Sequence, residues 1–286
     1  MERAYTVWNW IKYDYSKDVN KKDWQNWSEF PKRDYEIACR TMADLGYKNI
    51  ECFYFLADFY KDADDEFQAL MKEHGLTLVC LYNYLTNDFE ADLESVQKSV
   101  DFLNRHGVPG KKHMNLESPK RPTNRAVTEE DLAKASKEAD VVGKLCRENG
   151  IVLTLHPHYG TVVEQRGEID YFAAHTDPQY VSFCLDTAHT VICGMKPEEL
   201  FVTYADRLKY VHLKDVQPDP DQEYVLPTVR FRALGQGTID FVTILKYIRQ
   251  RKYDGILCVE LDNPKVNHYQ GAQYSRDYLH YVLGID

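Results

Sequence analysis

Long apolar runs are absent from this 286-residue sequence: none approaches the roughly 18 residues that a membrane-spanning helix needs. Its opening segment, MERAYTVWNW, also lacks the basic-then-apolar pattern of a secretory leader. Close cysteine pairs are missing too, because the seven cysteines are widely spaced and several lie inside apolar runs such as VCLY and FCLD. We therefore expect a cytoplasmic protein, not associated with a membrane, whose cysteines are reduced and buried.

Positive charge is in deficit, with 35 Lys and Arg against 45 Asp and Glu and a formal net charge of −10. Nucleic-acid binding is disfavoured, because it requires a basic surface that displaces counterions from phosphates. The sequence contains neither a Gly-x-Gly-x-x-Gly segment nor a P-loop, so we expect no nucleotide cofactor. A hydrophobic content of 44% is enough for a large core and leaves a small neutral or carbonyl-bearing substrate open.

Short apolar runs with strand character alternate with longer amphipathic segments along the whole chain. Eight such runs occur, at 5–10, 49–55, 76–83, 111–118, 151–158, 181–189, 208–215 and 255–262. Several of the intervening segments end in glycine just before the next run, as in HGLTL and NGIVL, which is typical of a helix C-terminus. This repetition predicts parallel strands joined by right-handed crossovers, and eight units predict a single (β/α)8 TIM barrel domain over residues 1–286.

Polar side chains recur where the later strands end, and these ends carry the chemistry of such barrels. In chain order they are Glu117, His156, His158, Asp186, His189, His212, Lys214, Asp215, Glu260 and Asp262. Unpaired charges buried at this face would be costly, whereas mixed histidine and carboxylate ligands suit a divalent ion such as Mn, Co, Zn or Fe. The pattern therefore indicates a metal site.

Other roles stay open for most of these residues. Asp186 could cap the helix that follows it, and His189 could orient neighbours or substrate instead of binding metal. His212 could be an ordinary core histidine. Glu260 lies inside an apolar strand, where an unpaired carboxylate is expensive, which favours a ligand role. Glu117 could face the substrate, although Ser-Pro follows it directly and its strand pattern is weaker than the others.

Several motifs resemble those of a known superfamily. CLDTAHTVICG, VHLKD, ALGQGTIDF and VELD occur in the order found in the xylose-isomerase-like sugar isomerases and epimerases, and HPHYGTVVE is most similar to the inosose (2-keto-myo-inositol) dehydratase branch. The resemblance covers nearly the whole chain. It implies one divalent ion, manganese first and otherwise cobalt, zinc, iron or magnesium. The implied ligands are His156, Asp186, His212 and Glu260.

One departure from that superfamily concerns His156, since most members have glutamate at the aligned position. An imidazole in place of a carboxylate removes a negative charge. The bound metal should then be more electrophilic, or the site weaker for hard ions such as Mg²⁺. This change also favours a dehydratase or lyase over a general sugar isomerase.

The resemblance implies a metal-dependent lyase or dehydratase that acts on a keto-sugar, keto-inositol or 3-keto-glycoside. The reaction would be α-proton abstraction followed by β-elimination through a metal-bound enediolate. His158 is the leading proton-transfer group because an imidazole titrates near neutral pH, and Glu117 and Lys214 are weaker candidates. Reprotonation of the same enediolate would make the protein a ketose isomerase or epimerase.

Substrate binding is assigned to His189, Trp10, Arg230 and Arg232. Aromatic residues near the early strand ends could stack on a sugar or simply pack the barrel, and the two arginines could instead be solvated loop charges. Two other classes of protein fit the sequence less well. An abasic-site endonuclease needs further histidines that ECFYF and CLYNY lack, and a non-catalytic sugar-binding or accessory barrel would not need a complete ligand set. We expect a carbohydrate or cyclitol substrate and a possible homo-oligomer or partner subunit.

Overall fold

The computed structural model describes residues 1–10, 32–217, 231–262, 264 and 267–285, in which eight parallel strands close into a barrel. These strands are β1 (Glu2–Thr6), β2 (Asn49–Phe53), β3 (Thr77–Tyr84), β4 (His113–Glu117), β5 (Val152–Leu155), β6 (Val181–Asp186), β7 (Leu208–Leu213) and β10 (Ile256–Val259). A short antiparallel pair, β8 (Asp215–Val216) with β9 (Phe231–Arg232), extends beyond β7. The predicted (β/α)8 TIM barrel is confirmed, while the single-domain boundaries 1–286 stay a prediction.

Helices fill the connections between strands. They are α1 (Lys32–Asp44), α2 (Phe55–Phe59), α3 (Asp64–His74), α4 (Phe89–His106), α5 (Glu129–Glu148), α6 (Arg166–Ala174), α7 (Thr187–Ile192), α8 (Pro197–Thr203), α9 (Phe241–Gln250) and α10 (His268–Asp277). Short 3-10 turns span Trp8–Trp10 and Ala205–Arg207, and a π-helical turn spans Tyr278–Val282. Among the described residues, no helix is both long and apolar enough to cross a membrane.

The helix ends follow local sequence signals. Helix α5 begins with a capping box, in which the Thr128 side chain accepts from the backbone N–H of Asp131 and Asp131 accepts from that of Thr128. Helix α3 ends at Gly75, whose φ of 61° is a left-handed conformation that glycine adopts without steric cost. The expected glycine before a strand is therefore a true helix stop.

Seven of the eight predicted strands end earlier than the sequence pattern indicated, and three of these differences have a local cause in the structure. The first spans Glu2–Thr6 and not 5–10, because Trp10 N–H bonds to Val7 O and turns the aromatic run into a 3-10 helix. The fifth ends at Leu155 because Pro157, between the two histidines, has no N–H for the sheet. The sixth ends at Asp186, whose side chain starts α7. Each difference moves polar residues out of a strand and into the loops at the barrel mouth.

The core is formed by the barrel interior and by the layer between strands and helices. Small and thiol-bearing residues fill the interior below the mouth, including Ala4, Cys80, Cys184 and Cys258. All seven cysteines are free, and Cys193 is the one that is half-buried and not fully buried. Burial raises the pKa of the Cys146 thiol to about 12, as expected for an unreactive thiol. Six of the seven cysteines are therefore buried as expected, and the reduced state stays a prediction.

The loop that follows β9 is held by a single buried carboxylate, Asp215. Its two oxygens accept backbone hydrogen bonds from Val216, Gly235, Gly237 and Ile239 at 2.8–3.2 Å. A side chain at Gly237 would have its Cβ 2.2 Å from Asp215 Oδ1, so this position requires glycine. Asp215 therefore has a structural role at the mouth.

Replacing Asp215 with alanine is expected to lower the free energy of unfolding by about 2–4 kcal/mol, because several buried N–H donors lose a charged acceptor. Urea denaturation followed by circular dichroism measures the change. Asp101→Ala is the matched control, since Asp101 is exposed and accepts a hydrogen bond from Gln97 on its own helix. Equal stability of the two variants would rule out the proposed anchoring role.

Candidate metal centre

The carboxyl ends of β5, β6, β7 and β10 bring the four predicted ligands together. The register pairs Asp186 with His212 and His212 with Cys258, so Glu260, two residues further, points into the same interior. His156 directly follows β5. One ligand atom from each of the four residues lies within 4.8 Å of the others. All four side chains are buried.

The distances inside this cluster suit a shared cation. His212 Nδ1 lies 3.1 Å from His156 Nε2 and 2.8 Å from Glu260 Oε2. Asp186 Oδ2 lies 3.7 Å from His156 Nε2 and 3.9 Å from His212 Nδ1. Two imidazole nitrogens and two carboxylate oxygens thus face a common centre. This donor set suits a borderline divalent ion.

Asp186 has two separate tasks at this centre. Its Oδ1 accepts the backbone N–H of His189 at 2.8 Å and so caps α7, as the alternative interpretation anticipated. Its Oδ2 is buried, and among the described residues no group hydrogen-bonds to it. A buried carboxylate oxygen without a donor is expensive, so a cation at the cluster fits the residues that are present.

Glu51, on β2, is a site residue that the sequence analysis missed. Its carboxylate is buried, accepts from Asn115 Nδ2 at 2.7 Å and hydrogen-bonds His212 Nε2 at 3.2 Å. Burial alone would lower the pKa of His212, but the carboxylates of Glu51 and Glu260 outweigh it and raise the pKa to about 10. The Nδ1 proton would leave on metal binding. The cost of a buried carboxylate, which singled out Glu260, could also have pointed to Glu51.

Lys214 is buried beside the cluster and surrounded by carboxylates. Its Nζ lies 3.0 Å from Glu260 Oε2, 3.1 Å from Asp262 Oδ2 and 3.6 Å from Asp186 Oδ2. Burial acts to lower the pKa of Lys214, but these three carboxylates outweigh it and hold the pKa above its ordinary value. The ammonium is therefore a hydrogen-bond donor and not a base.

Two further histidines line the same mouth. The rings of His158 and His189 lie 3.7 Å apart between centroids, and His158 is 5.5 Å from His156. His158 Nδ1 is 2.7 Å from the carbonyl oxygen of Tyr159, which can only accept, so the ring proton is on Nδ1 and Nε2 carries a lone pair. Removal from water lowers the pKa of His158 to about 4, so the ring is neutral at pH 7.

Glu117 is the last residue of β4 and is buried at this mouth. Its carboxylate accepts from Tyr82 Oη at 3.2 Å and lies 3.6 Å from Lys120 Nζ. Eight of the predicted site residues therefore meet at one end of the barrel: Glu117, His156, His158, Asp186, His189, His212, Lys214 and Glu260.

The other predicted substrate-binding residues are placed differently. Trp10 is buried in the 3-10 turn after β1, where its ring contacts the His268 ring at 5.4 Å. Arg232 is half-buried on β9 and donates to the Phe231 carbonyl at 2.7 Å. Arg230 lies outside the described residues. Substrate binding by these three residues stays a prediction.

A closed eight-stranded barrel with histidine and carboxylate side chains gathered at its carboxyl end defines a class of (β/α)8 barrels whose site could hold a divalent ion. Residues 39–280 match the family model described as "Xylose isomerase-like TIM barrel". The chain belongs to this family. The predicted superfamily is thereby confirmed.

Curated and solved relatives agree with this assignment. The inosose dehydratase of Geobacillus kaustophilus is 30% identical over 267 residues, which cover 83% of this chain and 84% of that protein. The IolI protein with a bound zinc atom superposes with a TM-score of 0.75 at 16% identity, over 99% of this chain and 98% of IolI. The probable 3-DHS dehydratase AsbF of Bacillus anthracis gives a TM-score of 0.74 at 13% identity, over 98% of each chain.

The two solved structures share too little sequence with this chain to show more than its fold. The inosose dehydratase, by contrast, is similar in sequence over most of this chain and therefore bears on its activity. The prediction that the chain is an enzyme, of the lyase or the isomerase/epimerase kind, is confirmed.

Proposed function

We propose that this chain is a divalent-metal-dependent lyase that dehydrates or cleaves a keto-sugar, a keto-cyclitol or a 3-keto-glycoside. The observation that carries the proposal is the buried group of His156, Asp186, His212 and Glu260, in which Asp186 Oδ2 has no donor among the described residues. The similarity to an inosose dehydratase over most of the chain supports elimination as the reaction. Location in the cytoplasm and assembly into a homo-oligomer or with a partner subunit stay predictions.

The same four residues would hold the ion. Imidazole suits zinc or iron, and carboxylates suit manganese or magnesium, so a mixed set is compatible with several of these ions. Manganese, with two carboxylates as its ligands, is the first ion to test, ahead of cobalt, zinc, iron and magnesium. When bound, such an ion supplies a Lewis acid for the negative charge that develops on a substrate carbonyl oxygen.

The protein's own groups divide the proton transfers. His158, with its lone pair on Nε2, would accept the proton from the carbon next to the carbonyl as the C–H bond breaks. The electron pair forms the carbon–carbon double bond, the β carbon–oxygen bond breaks, and the leaving oxygen takes up the proton that His158 accepted. Lys214 would donate a hydrogen bond to substrate oxygen, because its ammonium is held charged. Glu117 is the weaker candidate for proton transfer, since Tyr82 and Lys120 occupy its carboxylate.

A ketose isomerase or epimerase is the second candidate. The close pair of His158 and His189, with ring centroids 3.7 Å apart, favours it specifically. Two adjacent imidazoles could remove a proton from one position and return it at another. Both reactions begin with the same proton abstraction, so they differ only in the product.

Incubation of Mn²⁺-loaded protein in D2O with a panel of ketoses, keto-inositols and 3-keto-glycosides distinguishes these reactions. We expect at least one compound to lose its α-proton signal in ¹H NMR and to yield an unsaturated product. A saturated isomer carrying deuterium would instead identify an isomerase or epimerase. Chelator-treated protein is the control and should do neither. Metal-loaded protein that exchanges no α-proton in any compound would contradict both candidates.

A further inference from the structure

We propose that Tyr82 and Glu117 form a relay that fixes the ring tautomer of His156 and so directs its Nε2 lone pair to the metal centre. This inference rests on the proposed metal-dependent function. It assigns a positioning role to Tyr82, whose position within a strand gave no indication of a role at the site. It also gives Glu117 a role other than direct proton transfer.

The direction of the relay follows from the chemistry of its members. Glu117 accepts at Oε2 from Tyr82 Oη at 3.2 Å, because a carboxylate has no proton to give. With its own proton committed to Glu117, Tyr82 Oη can only accept from His156 Nδ1, which lies 2.8 Å away. His156 therefore carries its proton on Nδ1. Its Nε2, 3.1 Å from His212 Nδ1 and 3.7 Å from Asp186 Oδ2, presents a lone pair to the cluster.

Burial leaves the members of this relay without water as an alternative hydrogen-bond partner. Tyr82, Glu117 and His156 are each at most 3% exposed, so water cannot substitute for a missing partner. The backbone fixes the geometry as well, since His156 N–H bonds to Leu116 O next to Glu117. Lys120 Nζ, 3.6 Å from Glu117 Oε1, favours the charged form of the carboxylate that ends the relay.

The relay explains how a histidine functions where most of the superfamily has glutamate. A glutamate offers two equivalent oxygens and needs no partner to choose between them. An imidazole offers its lone pair on Nε2 in only one of two neutral tautomers, and an outer hydrogen bond normally selects that tautomer. His212 has the corresponding support from Glu51, which bonds its Nε2 directly. His156 is linked to the Glu117 carboxylate indirectly, because the Tyr82 hydroxyl lies between them and bonds to both.

The first test measures Mn²⁺ affinity by electron paramagnetic resonance of the free ion. Tyr82→Phe and Glu117→Gln should each weaken binding about 10–100-fold, the usual effect of losing an outer-shell partner. Tyr47→Phe is the matched control. It also removes a fully buried tyrosine hydroxyl, but one without a hydrogen-bond partner among the described residues, and its affinity should be unchanged. Circular dichroism confirms that the variants are folded.

A double-mutant cycle separates positioning from general damage to the site. In a His156→Glu background, Tyr82→Phe should change Mn²⁺ affinity by less than about twofold, because the coupling partner is gone. An undiminished Tyr82→Phe effect in that background would overturn the relay. So would wild-type affinity in the single Tyr82→Phe variant.

The tautomer is measured independently of metal, by long-range ¹H–¹⁵N NMR of the histidine rings in metal-free protein at pH 8. The ring signals of His156 are assigned as those that disappear in His156→Gln. They should show a proton on Nδ1 in the wild type and no preference for Nδ1 in Tyr82→Phe. An Nε2–H tautomer in the wild type would overturn the relay. Failure of the wild type to bind any of Mn²⁺, Co²⁺, Zn²⁺, Fe²⁺ and Mg²⁺, with His156 protonated on Nδ1, would instead overturn the metal-dependent function and leave the relay supported.

Discussion

Asp186→Asn, His212→Ala and Glu260→Ala should each yield protein that does not bind the proposed divalent ion. These residues supply three of the four atoms that face the common centre, and each lies at the end of a different strand. The neighbouring strands cannot shift to replace a lost ligand, because they are hydrogen-bonded into a closed barrel. Elemental analysis after gel filtration of Mn²⁺-loaded protein measures the result, and we expect less than about a tenth of an ion per chain for a site that has lost a ligand.

Asparagine is the informative replacement at Asp186, because the residue also starts a helix. Alanine would remove the cap that Oδ1 provides to the His189 N–H, at a cost of about 1 kcal/mol, together with the ligand. Asparagine keeps an oxygen that can cap α7 and removes the charge that faces the cluster. Comparing the two variants therefore separates loss of metal from loss of the helix start.

Two controls make the metal measurement decisive. Asp101→Ala removes an exposed carboxylate from α4 and should bind as much Mn²⁺ as the wild type. Thermal unfolding with and without Mn²⁺ should show stabilisation by the ion in the wild type and none in the ligand variants, because a ligand that binds only the folded state raises its stability. Stoichiometric metal in all three ligand variants would remove these residues from the site.

The gathering of the candidate ligands at one place was predictable, because these residues lie where the sequence pattern changes. Asp186, His212 and Glu260 each end or interrupt a short apolar run, and in a barrel these run ends converge. The strand register then fixes their distances, with Asp186 opposite His212. Recognising eight strands was enough to gather these residues at one face, even though several strand ends were misplaced by a few positions.

The contacts of Glu51 and Tyr82 with the site were not predicted, for a different reason. Both lie within strands and point into the barrel, so neither marks the end of an apolar run. Their partners are remote in the chain: Glu51 contacts His212 across 161 residues, and Tyr82 contacts His156 across 74. Such pairings depend on barrel closure and on side-chain direction, which periodicity does not report. In the first strand the sequence pattern predicted strand residues where there are none. The aromatic run around Trp8 resembled a strand, but it forms a 3-10 turn in which the Trp8 ring stacks on the Phe53 ring.

His158→Ala should keep the metal and lose the proton transfer. The side chain lies beside the cluster without being one of its four members, and its Nδ1 bonds to the Tyr159 carbonyl and not to a ligand, so Mn²⁺ content should stay close to that of the wild type. Loss of a general base commonly reduces the rate by about 10²–10⁴-fold, and we expect a reduction of this size in turnover and in deuterium exchange at the substrate α-carbon.

The control for this change is His175→Ala. His175 also follows a secondary-structure element and stacks on an aromatic ring, that of Tyr171 at 3.8 Å, but it caps α6 away from the strand ends. Its loss should affect neither metal content nor exchange. Undiminished exchange in His158→Ala would exclude His158 as the base. Because Lys214 is held as a charged donor among three carboxylates, Glu117 would then remain as a candidate base together with His189, whose ring lies against His158. A His189→Ala variant with lost exchange and retained metal would identify His189 as the base.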